Sequence, residues 1–227
     1  MSAAAPCRVL VLRPMPGNAD TVGRLAALGI VAAPLPLFAV EPVTWEVPSS
    51  ESFDALLLTS ANAVRHAGQG LAALDHLPVW CVGEATATAA RDAGLTVARV
   101  GSGGVAALVS GTADRLLWLC GEERSALPEE AERQVTVIPV YRTRALLFPA
   151  SVLAEPCVAL LHSARAARRF AQLASERASI AIVAISEVVA AAAGEGWNNV
   201  AIATRPDDAE MVAIAAKLCQ DGSRGAR

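Results

Sequence analysis

Short segments of the chain recur at a constant spacing of 103 residues, and this repeat restricts the possible folds more than any other feature. The matching pairs are 57–61 (LLTSA) with 160–164 (LLHSA), 82–84 (VGE) with 185–187 (ISE), Val97 with Val200, and Pro36 with Pro139. Several matches at one spacing indicate a duplicated structural unit. The length of 227 residues allows one large domain or two small ones, and the repeat favours two.

Runs of Val, Ile and Leu alternate with Ala-rich stretches along nearly the whole chain. This alternation is typical of an α/β fold, in which parallel sheets are covered by helices on both faces. We predict strands at residues 9–12, 31–36, 55–58, 79–82, 97–100, 116–119, 135–139, 158–161, 180–185 and 200–203. These are too many for one small sheet, so we expect two sheets of about five strands each.

The position of the repeat predicts how the two lobes are built. One copy covers residues 40–140, whereas the copy within 145–227 needs additional strands at its start. We expect residues 1–36 to supply them, which makes lobe 1 discontinuous (1–36 plus 145–227) and leaves 40–140 as lobe 2. Linkers near 37–43 and 141–147 then join the lobes, and prolines flank both linkers. Residues 220–227 are predicted to be a disordered polar tail.

Composition argues against several classes of protein. The net charge of −3 and the pI near 5.7 lack the basic surplus of a nucleic-acid-binding protein. No apolar run approaches the roughly 18 residues of a membrane span, and the N-terminus lacks a secretory signal pattern. We therefore expect a cytoplasmic protein that binds neither nucleic acid nor membrane.

The motifs of common cofactors are missing from the sequence. The five cysteines include no C-x-x-C pair and the three histidines are scattered, so we expect no metal site. Neither a phosphate loop nor a G-x-G-x-x-G after the first strand occurs, and there is no nucleophile elbow. We predict a protein without a cofactor.

The loops that follow the predicted strands carry the candidate binding residues. In parallel sheets, ligands bind outside the carboxyl ends of the strands, where helix N-termini present free N–H groups. Ser, Thr and Gly recur in these loops and suit carboxylate or phosphate binding, although the same residues also cap helices without binding a ligand. The candidates are Arg13, Thr59, Ser60, Gly83, Thr86, Gly121, Arg124, His162, Ser163 and Ser186.

The arginines and the single tyrosine are the side chains whose chemistry is most informative about a ligand or a reaction. All basic residues except Lys217 are arginines, whose planar guanidinium can bind a carboxylate at two points. Arg13 and Arg124 lie in loops directly after predicted strands, and for each the alternative is a solvated surface charge. Tyr141, the only tyrosine, lies where the second linker begins. Its phenol can donate a hydrogen bond or proton to a departing hydroxyl, unless the ring is simply buried in the linker.

In their order and spacing, several segments resemble those of uroporphyrinogen-III synthases. They are residues 9–14 (VLVLRP), 53–55 (FDA) with 58–64 (LTSANAV), 82–87 (VGEATA), Cys120-Gly121 with Arg124, and 140–143 (VYRT). The resemblance covers nearly the whole chain. It implies two similar Rossmann-like (flavodoxin-like) parallel-sheet lobes joined by a two-stranded ribbon, with the N-terminal strands completing the C-terminal lobe.

The resemblance also implies a reaction. The linear tetrapyrrole hydroxymethylbilane would lose its terminal hydroxyl as water, invert its last pyrrole through a spiro intermediate and close to uroporphyrinogen III in the cleft between the lobes. Such chemistry depends mainly on proximity and orientation. Tyr141 would assist hydroxide departure, the other candidates would bind the substrate, and the enzyme would be a monomer in transient contact with neighbouring pathway enzymes.

The chain departs from the family pattern at residues 186–189 (SEVV), where a Gly followed by Thr residues is usual. Val189 therefore lies at the repeat position equivalent to Thr86. Two alternatives to the synthase remain: a non-catalytic two-lobed protein that closes on a small polyanion, and a flavodoxin-like nucleotide enzyme. A pure binder does not need Tyr141, and a nucleotide enzyme would carry a chromophore.

Overall fold

The computed structural model describes residues 7–110, 114–124, 126–127, 129 and 134–225. Parallel strands alternate with helices along these residues, and short 3₁₀ turns lie at 50–52, 68–74, 150–154 and 177–179. In chain order the strands and helices are β1 Arg8–Val11, α1 Gly17–Ala27, β2 Val31–Pro34, β3 Phe38–Pro42, β4 Ala55–Leu58, α2 Ala61–His66, β5 Val79–Val82, α3 Glu84–Asp92, β6 Val97–Gly101, α4 Gly104–Val109, β7 Leu116–Gly121, β8 Val135–Ala145, β9 Cys157–Leu161, α5 Ala164–Leu173, β10 Ile180–Ala184, α6 Glu187–Ala193, β11 Asn199–Ile202 and α7 Asp208–Gly225.

The chain divides into two compact units. Unit 1 consists of Met1–Ala39 and Ala145–Arg227, and unit 2 of Val40–Arg144. The sheet of unit 1 has the order β11-β10-β9-β1-β2, and neighbouring strands run parallel throughout. Its strand order reverses between β9 and β1, because β10 and β11 extend the sheet in one direction and β2 in the other. The loops after β9 and β1 therefore lie at a switch point, where α/β sheets bind ligands.

Both faces of the unit 1 sheet are covered, as the apolar runs predict. Leu10 and Leu12 pack with α5 and α6 on one face, whereas Val9 and Val11 pack with α1 and α7 on the other. Alternate residues of a strand point to opposite faces, so a strand covered on both sides must be apolar throughout.

Unit 2 contains a second sheet with the order β3-β8-β7-β4-β5-β6. Leu56 and Leu58 of β4 pack against α2 and α3, while Leu57 packs against α4 on the opposite face. Strand order reverses between β4 and β7, which are parallel neighbours. The switch point of this sheet is thus formed by the loops after β4 and β7.

The segments predicted as linkers contain strand. β3 (Phe38–Pro42) lies within the first, and β8 continues through residues 141–145 of the second. Their hydrogen bonds, from Val43 N to Val140 O and from Leu146 N to Leu37 O, are those of an antiparallel pair. Single-sequence patterns missed β3 because its strand residues end in Glu41 and Pro42, which are uncommon in strand interiors.

The C-terminal helix α7 is longer than the sequence pattern predicts. The prediction of a disordered tail was wrong for residues 220–225, which continue the helix; residues 226–227 lie outside the described part. A helix already anchored by Met211 and Ala215 extends easily, because each added residue gains a backbone hydrogen bond. Cys219 of α7 forms a disulfide with Cys7, which precedes β1. Within the described residues, no helix is long and apolar enough to cross a membrane.

Candidate active site

A cavity of about 480 Å³ opens at the switch point of unit 2. Its walls come from the loops after β4 and β7, from the start of α4, and from β8. Five of the residues that the sequence predicts for the site line it together: Thr59, Ser60, Gly121, Arg124 and Tyr141. The other lining residues are Val82, Gly104, Val105, Trp118 and Glu123.

The hydroxyls of Thr59 and Ser60 each accept a hydrogen bond from a protein N–H group. Ser60 is the N-cap of α2, and its Oγ accepts from the amide of Asn62 at 3.2 Å. Thr59 Oγ1 accepts from the indole Nε1 of Trp118 at 3.1 Å. Ser60 therefore caps a helix and lines the cavity at the same time, so the structural and binding alternatives are compatible at this residue.

Tyr141 lies against Gly121, and a change of strand register brings them together. Cys120 pairs with Pro139 but Gly121 pairs with Tyr141, so β8 contains one extra residue at this point. Such a bulge re-aims the side chains that follow it. A Cβ placed on Gly121 would lie 2.8 Å from the ring atoms Cε2 and Cζ of Tyr141 and 3.1 Å from its hydroxyl. Glycine at 121 is therefore needed for this ring position.

We predict that Gly121→Ala lowers turnover about tenfold or more, because the new methyl must displace the Tyr141 ring and overpacking costs about 1–3 kcal/mol. Gly23→Ala is the matched control, since a Cβ at that helical glycine meets nothing within 4 Å. Turnover per folded molecule and the melting temperature should be measured for both variants. Wild-type turnover in folded Gly121→Ala would contradict the prediction.

Arg124 and Glu123 place opposite charges at the mouth of the cavity. Both are exposed in the loop after β7, and Arg124 Nη1 makes one long contact of 3.5 Å to the carbonyl of Glu122. Sequence reasoning missed Glu123 because a carboxylate repels the anionic ligand that the neighbouring residues suit. Glu123 precedes Arg124 in a loop after a buried strand, and this position could have identified it as a residue of the cavity.

Gly83, Thr86 and Ser186 lie at the starts of two other helices. Gly83 is the N-cap of α3 with φ of +78°, a conformation that favours glycine. Thr86 is buried in the first turn of that helix, 5% exposed, and does not line the cavity. Ser186 is the N-cap of α6, and Val189 in the first turn is again 5% exposed.

The remaining candidates belong to unit 1, where a largely buried carboxylate organises the switch point. Ser163 caps α5 by accepting from the amide of Ala166. His162, which follows β9, has its Nε2 2.7 Å from Asp208 Oδ1. The same oxygen accepts from the Thr21 hydroxyl at 2.7 Å and from Arg13 at 3.3 Å, and the other oxygen accepts from Arg24.

Asp208 was missed by sequence reasoning because it lies at the start of α7, several residues after β11. The loop that holds Arg13 is fixed by Asn18, whose side-chain amide donates to the carbonyls of Val11 and Arg13. Arg13 and His162 are thus brought together, but both are paired with an internal carboxylate. Several donors on one carboxylate offset the cost of removing it from water.

Burial lowers the pKa of His162, although the hydrogen bond with Asp208 opposes this shift. The pKa of Asp208 is also lowered: burial alone would raise it, but the hydrogen bonds from Thr21 and His162 outweigh that effect. His162 is therefore neutral and Asp208 ionised at neutral pH. Because a carboxylate can only accept, the proton of His162 lies on Nε2.

The lowered pKa of His162 predicts a loss of stability on acidification. Below about pH 6.5 the unfolded chain binds a proton at this histidine that the folded chain does not, so the free energy of unfolding falls. His162→Gln should flatten this dependence below about pH 6.5, by up to about 1.4 kcal/mol per pH unit. Urea unfolding at several pH values measures the effect, with exposed His76→Gln as the control. An unchanged pH slope in His162→Gln would contradict it.

The thiols beside the cavity are not nucleophiles. Burial raises the pKa of Cys81 and of Cys120 to about 11, so both stay protonated at neutral pH. The pKa of Cys157 is raised for the same reason. Among the described residues, no group of three or more His, Cys, Asp or Glu side chains is arranged to hold a metal ion. The cavity instead offers hydroxyls, a guanidinium and a phenol.

Fold and cavity together define the class of protein: an α/β protein with parallel sheets and a cavity at a switch point, the position where sheets of this kind bind ligands. A family model described as uroporphyrinogen-III synthase HemD matches residues 19–213. Since this match covers most of the sequence, the chain belongs to the uroporphyrinogen-III synthase family. Its reaction is the cyclisation of hydroxymethylbilane to uroporphyrinogen III.

Solved structures agree in fold. The uroporphyrinogen-III synthetase of Helicobacter pylori aligns over 93% of this chain and 99% of its own, with 17% identity and a TM-score of 0.66. A mutant uroporphyrinogen III synthase of Thermus thermophilus aligns over 95% and 99%, with 19% identity and a TM-score of 0.56. Among curated proteins, none matches the chain significantly.

Proposed function

We propose that the cavity of unit 2 is the reaction site for hydroxymethylbilane, with Tyr141 as the catalytic residue. The observation that carries the proposal is that Thr59, Ser60, Gly121, Arg124 and Tyr141 line one cavity. The hydroxyls and the guanidinium suit substrate carboxylates, because charge-assisted hydrogen bonds are stronger than neutral ones. Gly121, which has no side chain, leaves room for the Tyr141 ring to pack against its backbone.

Tyr141 would act where the carbon–oxygen bond breaks. The electron-rich terminal pyrrole expels the hydroxyl as hydroxide, while the phenol donates a hydrogen bond to the departing oxygen. The cation left on the methylene carbon is attacked by the last pyrrole at its substituted α-carbon, which gives the spiro intermediate. The original bond from that α-carbon to its other methylene then breaks, and the released methylene carbon bonds to the free α-carbon of the same pyrrole. The proton lost from that carbon balances the departed hydroxide as water, and the ring is inverted. The cavity must hold the flexible tetrapyrrole in an orientation in which the attack by the substituted α-carbon occurs before direct ring closure.

We further propose that the two units are the similar lobes of one enzyme, joined by the β3–β8 ribbon, and that they close around the substrate in a cleft. Strand order supports this proposal, since β6-β5-β4-β7-β8 in unit 2 parallels β11-β10-β9-β1-β2 in unit 1. The loops with Gly83, Thr86, Ser163 and Ser186 would then add contacts, mostly through backbone N–H groups. Arg13 and His162 would contribute to the same surface, held by Asp208.

A cytoplasmic monomer remains part of the proposal. Hydroxymethylbilane closes to the uninverted isomer without an enzyme, which favours direct hand-over during transient contact with the enzyme that makes it. The disulfide between Cys7 and Cys219 would be subject to reduction in that compartment, because the cytoplasm keeps most cysteines reduced.

The reaction is tested by a product-isomer assay. Purified protein given hydroxymethylbilane should yield the type III isomer, with no added metal or nucleotide and with the same rate in the presence of a chelator. A non-catalytic polyanion-binding protein, which the family membership does not favour, would leave only the type I isomer. Type I product alone, or activity abolished by the chelator, would overturn the proposal.

A further inference from the structure

The indole of Trp118 connects the core of unit 2 to the wall of the cavity. Trp118 lies in the middle of β7, 1% exposed, and pairs with Leu57 of the neighbouring strand β4. Thr59 follows Leu57 by two residues, so its side chain leaves the chain on the same side. The indole reaches along the sheet to it, and Nε1 donates to Thr59 Oγ1 at 3.1 Å.

This hydrogen bond determines what the Thr59 hydroxyl can offer to a ligand. A hydroxyl has one proton and two lone pairs, whereas an indole N–H can only donate. One lone pair of Thr59 is therefore directed at Trp118, and the proton must point elsewhere. No described residue accepts that proton, and Thr59 lines the cavity.

We propose that Trp118 is a positioning residue, which holds the Thr59 hydroxyl as a hydrogen-bond donor to a carboxylate of the tetrapyrrole. The inference rests on the proposed function, in which Thr59 contacts the substrate. A carboxylate has only acceptors, so it binds best to a hydroxyl whose proton already faces it. Preorganisation of this kind lowers the entropy cost of binding.

The neighbouring hydroxyl is held in a comparable way. Ser60 Oγ accepts from the Asn62 amide, so its proton is also directed away from the protein donor. Both residues line the cavity, so each hydroxyl is available there as a donor to a ligand. At the repeat position equivalent to Thr59, His162 is instead engaged by Asp208, so the arrangement is not repeated at that position.

The test is a double-mutant cycle with Trp118→Phe and Thr59→Val, measured as kcat and KM for hydroxymethylbilane. Trp118→Phe removes the N–H donor and keeps an aromatic ring in the core. Trp80→Phe is the matched control, since Trp80 is 4% exposed in the same core cluster and has no hydrogen bond to Thr59. Melting temperatures of all variants identify any general loss of packing.

We expect Thr59→Val to lower kcat/KM about tenfold, through a higher KM, as for one lost hydrogen bond to a charged group. Trp118→Phe should lower kcat/KM roughly three- to tenfold in the wild-type background and have no further effect in the Thr59→Val background. Trp80→Phe should leave KM nearly unchanged. A structural role of Trp118 would instead give equal losses in both backgrounds.

The possible results distinguish a failure of the positioning role of Trp118 from a failure of the proposed substrate contact of Thr59. If Thr59→Val lowers kcat/KM but Trp118→Phe does not, or if Trp118→Phe costs the same in both backgrounds, the positioning role is overturned while the substrate contact stands. If Thr59→Val has wild-type kinetics, the proposed substrate contact of Thr59 fails, and the positioning role fails with it. Should Trp118→Phe not fold, a tryptophan analogue with sulfur in place of the N–H group at position 118 preserves the ring volume and removes the donor. Wild-type KM in that protein would equally overturn the inference.

Discussion

Replacing Tyr141 with phenylalanine is expected to lower turnover about ten- to a thousandfold while changing KM little. In the proposed mechanism the phenol acts on an oxygen that acquires negative charge as the carbon–oxygen bond breaks, so its hydrogen bond would strengthen mainly in the transition state. One lost hydrogen bond accounts for the lower end of this range. The phenylalanine ring should pack against Gly121 as the tyrosine ring does, because the two side chains share the ring atoms Cε2 and Cζ that lie beside Gly121.

The measurement is single-turnover kinetics with hydroxymethylbilane, together with the ratio of type III to type I product. His66→Leu serves as a control, because the centroid of that ring lies 6.3 Å from that of Tyr141 and His66 does not line the cavity. Normal turnover in a folded Tyr141→Phe protein would leave Tyr141 as a structural residue of β8. The site would then depend on orientation alone.

Sequence patterns predict the strands of both sheets because each buried strand must be apolar on both faces. The runs at 55–58 and 116–119 are of this kind, and β4 and β7 occupy them. The sequence therefore predicts binding residues in the loops after these strands, and the pairing of β4 with β7 in the structure brings Thr59, Ser60 and Arg124 to one cavity. Strand patterns missed β3, whose apolar run is only Phe38 to Val40, whereas the family resemblance implies a ribbon at this place.

Contacts between side chains that are far apart in the sequence could not be predicted from it. The bond between Trp118 and Thr59 joins residues 59 positions apart, and it depends on the rotamer of a buried indole. The extra residue of β8 that brings Tyr141 onto Gly121 leaves no mark in a hydrophobic pattern. The contacts of Asp208 with His162 and Arg13 depend on the path of the chain after β11. Each of these features arises from tertiary packing, which local propensity does not encode.

The repeat is informative about burial even where chemistry differs. Thr86 and Val189 lie 103 residues apart, and each is 5% exposed in the first turn of its helix. Threonine and valine have nearly the same shape, so one buried position can accept either. Whether the Thr86 side chain also binds substrate stays a prediction.

Arg124→Gln is expected to raise KM for hydroxymethylbilane about ten- to a hundredfold, with a smaller effect on turnover. Arg124 lines the cavity, and its contact with the carbonyl of Glu122 is a long one of 3.5 Å through Nη1, so its other N–H groups can bind a substrate carboxylate. A charge-assisted, two-point contact of this kind contributes more than a neutral hydrogen bond. Arg124→Lys should give an intermediate KM, because an ammonium group keeps the charge without the planar pair of donors.

The control for Arg124→Gln is Arg91→Gln, which removes the same charge from an exposed residue of unit 2 that pairs with Glu84. If the KM effect arises from contact at the cavity, Arg91→Gln should leave KM near the wild-type value at about 0.15 M salt, where distant surface charges are screened. The effect of Arg124→Gln should persist at that ionic strength. Equal increases in KM for the two variants, both disappearing at high salt, would show general attraction of a polyanion and would remove Arg124 from the site.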